Sequence, residues 1–489
     1  MIPQTDNRPP PQFVEVALNL PLDKTYQYMV PDQLVGSIRS GNLVRVPIRK
    51  RWANGCVVAL EGAAKVAAVK PLHSVLTPDF SIPQDLIELC HWMADYYFCS
   101  WGEALGCASM IGFNNLKEKK IRSLRVSQGG LARGRLTVKQ RTVAETLAMR
   151  GYPALPAEEL RSEFKLTTVT IKRWTEAGFF EEFTERVHRP DPYAPAGDQR
   201  DAALQLTPEQ QKAFDPIARA LDERRFEAFL LHGVTGSGKT EIYLQALAKC
   251  LEAGREAIVL VPEISLTPQT VSRFRKRFGA VVGVYHSRLS LGQKYDLWRQ
   301  IACGEVRVLV GARSALFAPF PSLGLILLDE EHETSYKQSE APRYHARDVA
   351  LMRGQSHRAA VIMGSATPSL EAYYNARSGK WTYLELPSRV GTHPLPKVEL
   401  VDMTEELREE GTQELFSRGL EAAVRARLER GQQVLLFLNR RGFNNFQCCL
   451  KCHSVLRCEH CDVAMTYHKP LDRLVCHYCD ARRPLAAQC

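Results

Sequence analysis

The chain reads as a multidomain α/β protein whose main body is a parallel sheet covered by helices on both faces. Three observations predict this. Short apolar runs recur at Ala228–Leu231, Ala257–Val261, Val306–Val310, Leu325–Leu328, Ala360–Met363 and Val434–Leu438, with long helical stretches between several of them. Near-continuous apolar strands of this kind are buried on both faces. The first run leads into Gly233-Val234-Thr235-Gly236-Ser237-Gly238-Lys239-Thr240, which fits the G-x-x-x-x-G-K-[ST] loop that wraps backbone N–H groups around nucleotide phosphates. A later run ends in Asp329-Glu330-Glu331-His332, which supplies the carboxylates such a loop needs for Mg²⁺ and for activating water.

The elements before that sheet have a different pattern. Phe13–Leu18, Leu43–Pro47 and Gly55–Leu60, separated by Pro and Gly turns, read as short strands of a small β-rich domain. Leu86–Tyr97 reads as a helix. The basic stretch from Lys117 to Arg135 reads as a linker. Helix periodicity follows in Val138–Arg150 and Ala157–Phe164, a third helix begins near Thr167, and Phe179–Phe183 reads as a strand. Helix, helix-turn-helix and strand outline a winged-helix module. The Pro-, Asp- and Arg-rich segment Val187–Asp201 reads as a second linker.

With 489 residues there is room for about three or four domains. A net charge of +10 suits an anionic partner such as DNA. No apolar run approaches the roughly 20 residues of a membrane span. The start, MIPQTDNRPPPQ, lacks the basic and apolar regions of a signal peptide, so a cytoplasmic protein with no membrane partner is expected. Six of the 14 cysteines are scattered and eight fall between Cys448 and Cys489. Within that cluster Cys449-x₂-Cys452, Cys458-x₂-Cys461 and Cys476-x₂-Cys479 are zinc half-sites, and Cys489 begins a fourth.

In the nucleotide site, Lys239 would neutralise the β- and γ-phosphates of ATP, and the Thr240 hydroxyl would hold Mg²⁺. Asp329 would meet the metal, Glu330 is the candidate base for water, and Gln210 is a candidate for reading the nucleotide base.

Asp329–His332, Gly364-Ser-Ala-Thr-Pro-Ser369, Val261-Pro-Glu-Ile-Ser-Leu266 and Gly311-Ala-Arg-Ser-Ala315 resemble superfamily 2 helicase motifs. With Asn439-Arg-Arg-Gly-Phe443 and the cysteine cluster behind it, the whole chain resembles the PriA family of primosomal replication-restart helicases. The resemblance implies an ATP-dependent 3′→5′ DNA helicase that recognises abandoned forks and promotes reloading of the replicative helicase. It implies a 3′-end DNA-binding domain over 1–113, a winged helix over 114–200, a first helicase lobe over 201–392, the start of a second lobe over 393–447 and a zinc-binding region over 448–489. Forked and single-stranded DNA, primosome proteins and the single-stranded-DNA-binding protein are the implied partners. Pro262, Ser265, Arg313 and Ser314 would lie along the DNA track, while Ser365 and Thr367 would couple hydrolysis to movement. Tyr336–Arg347 fits an aromatic-rich coupling loop, with Tyr336 and Tyr344 stacking bases and Lys337 and Arg343 holding phosphates. Tyr26 and Lys70 match the 3′-end pocket, from which Gln27 and Arg49 depart by replacing an acidic residue and a glycine.

In the family the zinc half-sites interleave, so Cys458, Cys461, Cys476 and Cys479 would form one complete site and Cys449, Cys452 and Cys489 an incomplete second. The chain is expected to stop inside this insertion, with most of the second lobe beyond it, and therefore to bind ATP–Mg²⁺ but hydrolyse it poorly. The alternative class is a non-catalytic fork-binding and primosome-assembly module.

Overall fold

The computed structural model describes residues 13–109 except 79, 120–127, 136–186 except 150, 152 and 153, and 200–391. It also describes 397–437 except 404 and 406–415, and 447–488 except 448, 450, 451, 453, 469, 470 and 487. Contacts divide the chain into two compact units, Met1–His393 and Pro394–Cys489.

The first unit opens with a five-stranded sheet built from β1 (Phe13–Leu18), β2 (Tyr26–Met29), β3 (Leu43–Ile48), β4 (Arg51–Glu61) and β5 (Ser74–Val75), in the order β2-β1-β4-β3-β5. Val14, Val16, Val44, Val46 and Val57 turn one set of side chains into a core of their own. Arg49 closes the β3–β4 hairpin with φ 50°, the left-handed backbone that favours glycine, which accounts for the glycine the resemblance places there.

Helices α1 (Gln84–Tyr97) and α2 (Trp101–Ala108) follow. The Ser100–Glu103 capping box satisfies the first N–H groups of α2. Their apolar faces, with Leu86, Cys90, Met93 and Leu105, belong to the same buried cluster as Tyr295, Leu316 and Ala346 of the segments that pack on the larger sheet. Phe80 cements that junction, with its ring centroid 4.3 Å from Trp298.

Next come β6 (Lys120–Val126), α3 (Val138–Met149), β7 (Leu155–Pro156), α4 (Ala157–Glu163), α5 (Thr168–Glu176) and β8 (Phe180–Arg186). Here the linker reading of Lys117–Arg135 is corrected. Lys120–Val126 is the central strand of a three-stranded sheet, paired residue for residue with Phe180–Arg186. Its ladder comes from a partner about sixty residues away, so its local basic composition did not reveal it. Leu124, Leu147, Leu160, Ile171 and Trp174 fill the core beneath.

The main sheet contains β9 (Glu227–Gly233), β10 (Glu256–Leu260), β11 (Val282–Tyr285), β12 (Val308–Gly311), β13 (Leu323–Asp329), β14 (Ala360–Ser365) and β15 (Thr382–Leu386). All pairs are parallel, in the order β11-β12-β10-β13-β14-β9-β15. Between them run α6 (Pro208–Asp222, before β9), α7 (Lys239–Glu252), α8 (Pro268–Phe278), α9 (Leu291–Ala302), α10 (Ala346–His357) and α11 (Leu370–Arg377). One apolar cluster covers each face of this sheet, as expected from the continuous apolar strands. The chain leaves β9 and crosses β14 and β13 to reach β10. That reversal makes the carboxyl ends of β9, β14 and β13 the place where a ligand fits.

In the second unit, α12 (Arg418–Glu429) buries none of its residues. The strand expected at Val434–Leu438 is corrected: Val434–Phe437 pairs with nothing among the described residues, and Leu435 is 94% exposed. An apolar run becomes a strand only where neighbours exist to pair with it. The unit's ordered core is a ribbon of β16 (Thr466–His468), β17 (Arg473–Val475) and β18 (Arg482–Arg483) around Cys458, Met465, Leu474 and Cys476.

Candidate functional site

The phosphate-binding loop joins the end of β9 to the start of α7, so its N–H groups and the helix N-terminus face the same point. Gly236 and Gly238 take φ 83° and 84°, which lets the loop curl without steric cost. Lys239 Nζ donates to the Gly233 carbonyl at 2.7 Å, and burial lowers its pKa. Gln210 sits under the loop: its Nε2 donates to the Ser237 carbonyl at 2.9 Å while its Oε1 accepts from Thr207 N–H at 3.0 Å. Both ends of that amide are engaged in holding the loop to the start of α6.

Parallel register aligns Asp329 with Gly364 and Gly364 with Leu231, so the carboxylates end level with the loop across a single strand. The Asp329 Oδ1 accepts from the Tyr243 hydroxyl at 3.0 Å. A Cβ on Gly364 would stand 1.6 Å from that hydroxyl, so only glycine leaves Tyr243 its place. Burial raises the pKa of Asp329; burial and then the Asp329 charge raise that of Glu330. Glu330 adopts φ 49°, an uncommon backbone for a non-glycine residue.

Contacts missed in the sequence tie these groups to the next strand. His332 Nδ1 lies 2.7 Å from the Ser365 hydroxyl, which also accepts from Thr367 N–H at 3.0 Å. Glu331, buried, accepts from Arg347 at 2.9 Å and from the Ser369 hydroxyl at 2.7 Å. No local pattern distinguished Glu331 or Tyr243, because their partners lie on other elements.

Of the expected DNA contacts, Tyr336 and Tyr344 are corrected. Each is 1% exposed and cannot stack a base. Tyr336 instead donates its hydroxyl to the Asp329 carbonyl at 2.6 Å, and Tyr344 lies under the Arg313 guanidinium at 5.5 Å. Arg313 is half-buried, donating to the Ser335 carbonyl at 2.8 Å; Ser314 beside it is half-buried, and Lys337 and Arg343 are exposed. In the first sheet Tyr26 is half-buried with Lys24 Nζ 5.3 Å from its ring, and Lys70 is exposed with its carbonyl bound to Met29 at the end of β2. Gln27 holds the segment after β4, donating to Ala63 and accepting from Lys65 N–H.

In the second unit the Sγ atoms of Cys458, Cys461, Cys476 and Cys479 all lie within 4.8 Å of one another, with Cys458 and Cys479 at 3.6 Å. Tetrahedral zinc thiolates at about 2.3 Å from the metal stand about 3.8 Å apart, so this donor set fits zinc. Backbone N–H groups of Cys479 and Tyr478 lower the Cys476 thiol to about 7. Cys449 and Cys452 are not part of that group, and Cys489 lies outside the described residues.

Family comparisons follow this division. Residues 15–109 match the 3′DNA-binding domain of PriA, 207–375 the DEAD/DEAH box helicase domain and 458–484 the PriA DNA helicase Cys-rich region. The replication restart protein PriA of Bacillus subtilis is 38% identical over 550 residues, covering 98% of this chain and 68% of that protein. That of Chlamydia pneumoniae is 37% identical, covering 96% of this chain and 63% of that protein. The chain thus spans about two thirds of the relatives it matches. A structure of RecG bound to a three-way DNA junction overlaps with a TM-score of 0.33 at 22% identity, over 47% of this chain and 28% of that one, too slightly to bear on the argument. With a phosphate loop, paired carboxylates and a four-cysteine ribbon in family order, the chain belongs to the PriA family of replication restart helicases.

Proposed function

We propose that this chain binds ATP–Mg²⁺ and couples its slow hydrolysis to 3′→5′ movement on DNA at abandoned replication forks. The observation that carries the reading is the meeting of Lys239 and Thr240 with Asp329 and Glu330 across β14. Loop N–H groups from Gly233 to Thr240 and the Lys239 ammonium bind the ATP phosphates. Thr240 and Asp329 would hold Mg²⁺, which would supply charge neutralisation at the phosphates. Glu330, with its raised pKa, takes the proton of the attacking water. Gln210 keeps the loop in shape from below. His332 and Ser365 connect the carboxylate strand to Thr367, the path along which hydrolysis is felt by the next strand end.

Pro262, Ser265, Arg313, Ser314, Lys337 and Arg343 serve the single-stranded DNA track, and Tyr26 with Lys70 serves the 3′ end of the fork. Cys458, Cys461, Cys476 and Cys479 hold one structural zinc, and Cys449 and Cys452 contribute to a second site. The family supports a cytoplasmic protein that works with primosome proteins, the single-stranded-DNA-binding protein and the replicative helicase. Among the described residues no helix is long and apolar enough to cross a membrane. The assembled ATP constellation argues against a non-catalytic module.

Measuring ATP turnover with and without forked DNA tests this. Turnover is expected to be slow and stimulated by DNA, and Lys239→Ala to abolish it while fork binding persists. DNA-independent turnover, or turnover that survives Lys239→Ala, would overturn the proposal.

A further inference from the structure

We propose that Tyr97, on the last turn of α1, is a positioning residue that holds the 337–345 loop and thereby transmits DNA occupancy to the ATP site. The inference rests on the motor reading above. Tyr97 belongs to the helix behind the first sheet, yet its hydroxyl bridges two groups of the main domain. It donates to Asp348 Oδ2 at 2.9 Å and accepts from the His345 N–H at 3.1 Å. Its ring carries the Lys337 ammonium 5.0 Å from the centroid. One side chain therefore meets both ends of the loop, Lys337 where it starts and His345 where it turns into α10. Gln338, beside Lys337, also reaches Cys107 of α2 at 3.9 Å and accepts from Arg313 at 3.1 Å.

The loop starts one residue after Tyr336, whose hydroxyl grips the Asp329 carbonyl. On the far side Arg347 grips the buried Glu331. Motion of Lys337 or Arg343 on a phosphate backbone thus has two short routes to the Asp329–Glu331 segment, each a stretch of backbone ending in a hydrogen bond, to the Asp329 carbonyl and to the Glu331 carboxylate. Tyr97 sets the resting position from which that motion is measured. Removing its hydroxyl frees the His345 N–H and leaves Asp348 to Arg347 alone, at 3.6 Å, while the ring, and with it the packing, stays in place.

The test uses the full 489-residue chain and its Tyr97→Phe variant. The affinity for a fluorescent ATP analogue is measured with and without single-stranded oligothymidine, alongside the melting temperature and hydrogen exchange over 337–345. The parent chain should show a DNA-dependent change in nucleotide affinity. Tyr97→Phe should cut that change at least about fivefold, the lower end of ordinary coupling between sites. Its exchange over 337–345 should rise, with DNA-free nucleotide affinity unchanged and the melting temperature lowered only slightly. Asp348→Asn, which retains an acceptor for the Tyr97 hydroxyl, should keep most of the coupling. Coupling retained in Tyr97→Phe overturns the inference, as does a loss of DNA-free affinity in step with melting temperature, the mark of a merely structural role. A parent chain without any DNA effect overturns the motor reading itself, and this inference with it.

Discussion

Asp329 and Glu330 are adjacent carboxylates drawn out of water at the end of β13, and desolvation raises both. Because the folded chain holds these protons more tightly than the unfolded one, their ionisation subtracts stability as pH rises from the ordinary carboxylate range through the raised values. Asp329→Asn keeps an acceptor for the Tyr243 hydroxyl and removes the charge. It should raise the melting temperature by about 2 °C or more in calorimetry, while Mg²⁺-dependent nucleotide affinity falls at least about tenfold. Their neighbour Glu331 is a buried carboxylate paired with the largely buried Arg347. Glu331→Ala leaves that guanidinium only the Ser369 hydroxyl and Asp348 at 3.6 Å, and should cost about 3 kcal/mol in urea unfolding. Residue type alone did not separate these neighbours. The aromatics of the coupling segment make the same point, since Tyr336 and Tyr344 read as base-stacking residues until burial assigned them to the protein's own carbonyls and core.

Among elements, the site depends on β13, β14 and α7 approaching closely enough for Tyr243 to reach Asp329 past Gly364. Gly364→Ala forces a methyl into the Tyr243 hydroxyl and should destabilise the chain by about 1–3 kcal/mol. It should also displace Tyr243 and weaken nucleotide binding. Adding Tyr243→Phe should recover part of the lost stability, and a double-mutant cycle in urea reads that coupling directly. Helix and strand identities were legible wherever the period was strong, as in α3, α4 and the central strands. Lys120–Val126 was not, because a basic strand is made by its partner β8 rather than by its own pattern.

At the scale of the whole molecule, the division at His393–Pro394 separates the ATP site from the cysteine ribbon. Chelation should therefore unfold the ribbon, whose core is little more than Cys458, Met465, Leu474 and Cys476, and leave the thermal transition of the first unit in place. Metal analysis should find about one tightly held zinc per chain, lost in Cys458→Ser; equal, slow release of two would contradict the single complete group. The sequence by itself determined the α/β class, the phosphate loop, the carboxylate strand end and the paired-cysteine half-sites from patterns within short segments, while the grouping of Cys458, Cys461, Cys476 and Cys479 came from the family resemblance. Tertiary structure alone decided which aromatics are buried, that Gln210 props the loop, that β6 is a strand and that Tyr97 reaches the 337–345 loop. The Gln210 and Tyr97 contacts join residues 27 and 251 positions apart, and no local period encodes them.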